Sequence, residues 1–135
     1  MENIPMPPHG NFTWNELSTN DIEQAKEFYS RTIGWVIEEF PMPEGQYWVA
    51  KQGDKYVAGI TPLAQGPLEN AKSAYWFPYL EVDDIDKRIA AATKRGATVL
   101  RPAFDVPNVG RIAILRDAGG ATVGWMTSVP APVPA

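Results

Sequence analysis

The chain contains no cysteine and a single histidine, His9. The first absence excludes disulfides, thiolate nucleophiles and thiolate metal sites together. The second leaves most transition-metal sites short of their commonest ligand. Basic side chains are outnumbered, 12 Lys and Arg against 16 Asp and Glu for a net charge of -4, and they build no stripe. Nucleic acid is therefore not an expected partner. No apolar run is long enough to cross a bilayer, so no membrane partner is expected either. The opening stretch, Met1 to Gly10, lacks the basic and apolar blocks of a signal peptide. The expected location is the cytoplasm.

What is present suits one globular domain. The 135 residues are 44% hydrophobic and 21% charged, enough for a core of useful size. Thirteen prolines are spread unevenly, with Pro5, Pro7 and Pro8 near one end and Pro130, Pro132 and Pro134 at the other. Such ends favour extended chain without a fold of their own. The expected organisation is a flexible arm over residues 1–10, a single domain over 11–128, and a disordered tail over 129–135.

Within the domain the sequence repeats. One offset carries Trp14 to Phe77, Leu17 to Leu80, Asp21 to Asp84 and Ile22 to Ile85. Each stretch reads as a strand entering a helix. The first helix is predicted to start near Asn20, with Glu23 completing a capping box. Ile22, Ala25, Tyr29 and Ile33 form its apolar face, Phe28 widens it, and Gly34 ends it. The second is predicted to start near Asp83, with Ile85, Ile89 and Ala92 inward and Gly96 at its end. Three strands are predicted after each helix: 35–40, 46–52 and 56–62, then 97–104, 110–116 and 121–128. A nearly equal offset carries Gly59 to Gly124 and Lys51 to Arg116. The fold class predicted is α+β. It consists of two tandem βαβββ modules, 11–63 and 74–128, joined by a linker over 64–73. Together they form a curved mixed sheet whose concave side is a cleft.

Four stretches carry a resemblance to a known family. They are Trp14-Asn-Glu-Leu-Ser-Thr-Asn-Asp21, Phe28-Tyr29 with Ile33-Gly34-Trp35, Val57-Ala-Gly-Ile60, and Arg111-Ile-Ala-Ile-Leu-Arg-Asp117 with Gly120-Ala121. The chain resembles the vicinal oxygen chelate superfamily, which groups glyoxalases, bleomycin-resistance proteins and extradiol dioxygenases. The resemblance implies paired modules, a ligand cleft and often a homodimer. It also implies metal ligands on the first and last strand of each module. Those four places fall on Trp14, Gly59, Phe77 and Gly124, which offer no coordinating side chain. The expectation is therefore no metal and no other cofactor, with a divalent metal kept as the alternative.

Strand alternation supplies the rest of the candidate site. If Leu17 and Leu80 face their helices, then Trp14, Glu16 and Ser18, and Phe77, Tyr79 and Glu81, face the cleft. Gly59 and Thr61 join them from one last strand, Gly124 and Met126 from the other. Aromatic rings opposite glycines describe a pocket for a flat or apolar small molecule, or a cleft simply filled by those rings. Trp35 and Trp125 are expected to pack, and the face of Trp48 is open because one residue of register reverses it. Glu16 is the candidate catalytic residue, a general base if its apolar surroundings raise its pKa. The plainer alternative pairs it with Arg111 or another cation. Arg111 is itself a candidate anchor for an anionic ligand, and Tyr79 a candidate donor to a ligand oxygen. The acidic run Asp83, Asp84 and Asp86 is expected to cap a helix.

The function expected first is metal-free binding of a small aromatic or apolar molecule by Trp14, Glu16, Gly59, Thr61, Phe77, Tyr79, Arg111, Gly124 and Met126. The alternative is a lyase, isomerase or dioxygenase-like enzyme working through Glu16 or a metal. A third is a non-catalytic oligomerisation or partner-binding module.

Overall fold

The structure is a computed structural model that describes residues 6–129. Pro5, Pro130, Pro132 and Pro134, on which the arm and tail expectations partly rest, lie outside the described residues. The element order is β1 (Phe12–Thr19), α1 (Ile22–Thr32), β2 (Val36–Glu39), β3 (Trp48–Gln52), β4 (Lys55–Pro62), a 3-10 turn (Leu63–Gln65), β5 (Tyr75–Glu81), α2 (Ile85–Lys94), β6 (Thr98–Val106), β7 (Gly110–Arg116) and β8 (Thr122–Ser128). This is the βαβββ order twice over in an α+β chain. By contacts it divides into two compact units, Trp14–Phe77 and the remainder, so that the boundary falls within β5.

In the first unit the strands run β2-β3-β4-β1. The two hairpin pairs are antiparallel. β1 lies parallel to β4, with Glu16 opposite Gly59 and Ser18 opposite Thr61. The core on the helix side joins Leu17, Ala25, Trp48 and Ile60, with Ile22, Tyr29 and Ile37 packed against it. Leu17 inward places Trp14, Glu16 and Ser18 on the other face. Trp48, whose face the sequence left open, belongs to the helix side. Its neighbour Tyr47 accordingly belongs with Glu16.

Helix α1 begins one residue later than predicted. Asp21, not Asn20, is the N-cap, and its Oδ1 accepts the Gln24 amide at 3.0 Å. A carboxylate there satisfies an orphan amide and favours the helix dipole. Gly34 follows the helix with φ 80°, the left-handed conformation that side chains resist. Two expected core residues lie outside: Phe28 is 56% and Ile33 52% exposed. Ile33 is already the C-cap, beyond the last helical turn. Phe28 meets Tyr29 edge-on at 5.0 Å. Tyr29 stacks on Trp35, and Trp76 donates its indole N–H to the Tyr29 hydroxyl at 3.1 Å.

The second unit repeats the arrangement as β5-β8-β7-β6. β5 is parallel to β8, with Tyr79 opposite Gly124 and Glu81 opposite Met126. Val82, Ile85 and Ala113 form its core, with Ile89, Ala103 and Trp125 against them. Here too the N-cap is one residue on: Asp84 accepts the Lys87 amide at 3.2 Å. Asp83, the predicted start, instead grips Arg88 through both oxygens at 2.7 and 2.8 Å. That guanidinium holds the Asp83 carboxyl well below the usual carboxylate range. The arm does not hang free at His9. Its Nδ1 accepts the Asp83 amide at 2.9 Å, and the next two residues exchange backbone bonds with Glu81.

Candidate functional site

On the face of the first unit opposite α1, three side chains form a hydrogen-bonded row. Trp14 Nε1 donates to the Tyr47 hydroxyl at 3.0 Å. That hydroxyl donates to Glu16 Oε2, also at 3.0 Å. Trp14 and Glu16 come from β1, two residues apart and hence on one face. Tyr47 comes from the residue just before β3. Its ring meets Phe40 edge-on at 6.3 Å.

Glu16 is only partly exposed. Loss of hydration pushes its pKa up to about 7, and the bond from Tyr47 opposes part of that rise. A carboxyl near neutrality exists in both protonation states under ordinary conditions, which is what acid–base work requires.

The rest of the predicted site divides. Thr61, 4% exposed, donates its hydroxyl to the Gln46 carbonyl at 3.3 Å. Phe77 is 3% exposed and meets Tyr75 edge-on at 6.5 Å. In the second unit Tyr79 and Met126 are each 5% exposed. These residues are packed as core. Gly59 and Gly124 do not leave empty space in front of them. A Cβ on Gly59 would collide with the Tyr47 hydroxyl, and one on Gly124 with the Tyr79 ring. Arg111 is not brought to either face so described. It pairs with Asp86 of α2 at 3.1 Å and with Asp105 at 3.3 Å, on the side where Ala113, two residues on, joins the α2 core.

Tyr47 is the residue that sequence reading missed. It belongs to no repeat pair, and it precedes a strand whose register was open. A signal existed in Gly59: a glycine inside a strand commonly marks close approach by another group.

Among the described residues, no three His, Cys, Asp or Glu side chains gather so as to hold a metal ion. At the four places to which the family resemblance assigns metal ligands stand Trp14, Phe77, Gly59 and Gly124, whose side chains have no lone pair to give. The donor set does not fit a metal there. Among the described residues, no helix is long and apolar enough to cross a membrane.

A duplicated βαβββ unit with the acid-bearing strand first defines a recognisable class, and the chain belongs to the Glyoxalase/Bleomycin resistance protein/Dioxygenase superfamily, which it matches over residues 11–124. Among individual proteins it is similar to CFP32 of Mycobacterium bovis, provisionally named a glyoxylase, with 35% identity over 88% of this chain and 46% of that one. It is 27% identical to the anthracycline biosynthesis protein DnrV of Streptomyces peucetius, over 86% of this chain and 46% of that one. The chain thus spans about half the length of these relatives. The fold is shared with methylmalonyl-CoA epimerase from Mycobacterium tuberculosis, at a TM-score of 0.66 and 17% identity over 90% of this chain and 89% of that one. It is shared too with the hypothetical protein BH1468 of Bacillus halodurans, at a TM-score of 0.69 and 13% identity over 93% and 99%.

Proposed function

We propose that this chain binds a small, largely apolar or aromatic molecule without a metal, at the face carrying Trp14 and Glu16. One observation carries the reading: a partly buried carboxyl whose Oε2 is held by Tyr47 lies beside the partly exposed indole of Trp14. The ring offers a flat surface, and the carboxyl offers one polar anchor, the usual make-up of a small-molecule site. The test is a panel of aromatic ligands followed by tryptophan fluorescence, with Trp14→Phe to assign the signal. Quenching that disappears in Trp14→Phe is expected. No quenching across the panel, or quenching that survives Trp14→Phe, overturns the reading.

The Glu16 pKa of about 7 favours a second reading, an acid–base enzyme of lyase or isomerase type. Glu16 would take a proton from a substrate and return it. The provisional glyoxylase name of one relative and the epimerase title of one structural neighbour lean the same way. Glu16→Gln should then abolish turnover and preserve binding; turnover unchanged by that substitution removes the role. A second copy of the chain as partner, forming a homodimer, is part of the same proposal. Analytical ultracentrifugation tests it, and a monomer at micromolar concentration would exclude it.

A further inference from the structure

The Tyr47 hydroxyl stands between two partners of fixed character. An indole N–H can donate but never accept. The hydroxyl oxygen therefore receives Trp14 Nε1. Its single hydrogen is directed at Glu16 Oε2. The row of bonds thus runs one way, from β1 through Tyr47 and back to β1.

Space for the hydroxyl exists only because position 59 lacks a side chain. Gly59 sits directly opposite Glu16 in the parallel pair, and any Cβ there would meet the Tyr47 hydroxyl. The second module meets the same space differently. Its glycine, Gly124, is opposite Tyr79, and the Tyr79 ring itself covers it. Where the first module carries the shorter Glu16 in place of that ring, Tyr47 enters from just before β3, on the far side of β4.

We infer that Tyr47 is the positioning residue of the Glu16 site: it pins Oε2 as an acceptor and so fixes how the carboxyl is turned toward a ligand, with Gly59 as the socket that admits its hydroxyl. This rests on the binding face proposed above and narrows what it takes. A forked cation such as a guanidinium or amidine binds best when both carboxyl oxygens are open to it. With the Tyr47 hydroxyl already on Oε2, the site favours a ligand that meets the carboxyl through a single atom. A phenol, an alcohol or a single N–H on an apolar body has that chemistry.

The test uses the unliganded full chain. The indole ¹⁵N–¹H signal of Trp14 is assigned by its loss in Trp14→Phe, and the Glu16 carboxyl ¹³C signal by its loss in Glu16→Gln. In Tyr47→Phe, which keeps the ring, the indole signal should shift and its hydrogen should exchange roughly two- to tenfold faster, the range expected for one lost hydrogen bond. The Glu16 signal should move with it. Gly59→Ala should reproduce both changes although the hydroxyl is retained. If Gly59→Ala fails to fold, Tyr47→Phe alone decides. Trp14 and Glu16 signals that stay in place in Tyr47→Phe overturn the inference, because a tyrosine that merely packs would leave both unmoved. With no ligand present, the result is independent of the fluorescence panel. Quenching without these shifts refutes the positioning role alone, and the shifts without quenching refute the binding reading alone.

Discussion

Glu81 closes on Ser128 with both carboxylate oxygens, Oε1 accepting the hydroxyl at 2.6 Å and Oε2 the backbone amide at 2.8 Å. Glu81 is 4% exposed, so the pair satisfies a charge that water hardly reaches. Removing one partner of such a carboxylate leaves an acceptor desolvated and unmet. Ser128→Ala should lower stability by about 1.5–3 kcal/mol, the range for hydrogen bonds to charged groups. Urea unfolding measures it, and a midpoint equal to the wild type would contradict the expectation.

Glu16 links stability to pH. Its pKa rises from an ordinary 4.5 to about 7 on folding, so between those values the folded chain holds a proton that the unfolded chain has released. Stability is therefore fully present below about pH 4.5 and declines as pH rises to about 7. The decline is at most about 3 kcal/mol at 1.36 kcal/mol per pKa unit, and less because the carboxyl retains some solvent contact. Glu16→Gln should remove this component, which a series of urea melts from pH 4 to 8 would show. Parallel pH profiles for wild type and variant would refute it.

Gly124→Ala should strain the second module. The added methyl meets the Tyr79 ring, and that ring is nearly inaccessible, so it has little room to retreat. Overpacking of this kind costs about 1–3 kcal/mol. Thermal melting of the variant checks the direction, and a melting temperature at or above the wild-type value would count against it.

The two helix starts give a paired comparison. Asp21→Ala should cost about 1 kcal/mol, as loss of an N-cap does, whereas Asn20→Ala, one residue outside, should cost almost nothing. Equal losses in chemical denaturation would mean that the cap is not at Asp21.

The fold was largely legible because the repeat doubled every signal. The match of Trp14 with Phe77 and of Gly59 with Gly124 aligned the two modules, and alternation from Leu17 put Trp14 and Glu16 on one face. The helix starts were misplaced by one residue because Asn20 and Asp21, like Asp83 and Asp84, are both good caps. Sequence alone does not say which of two adjacent carboxyl or amide side chains turns back to the helix. Glu16 was recognisable as an acid on an apolar strand face. Its partner was not, since Tyr47 reaches it from a distant strand and only geometry decides whether Arg111 or a tyrosine arrives there. The filling of space in front of Gly59 and Gly124 was equally illegible, because a glycine is the same letter whether it opens a hollow or admits a ring.

In both modules the opening strand finds its own-module neighbour only in the closing strand: β1 beside β4, β5 beside β8. No hairpin can form early and hold either opening strand in place. Each module must close a long loop before its first strand gains that neighbour, and loop closure of this kind slows folding relative to local pairing. A nascent chain that stops short of Thr122 therefore has β5 without β8, and the parallel pair of the second module should form only late, as β8 arrives.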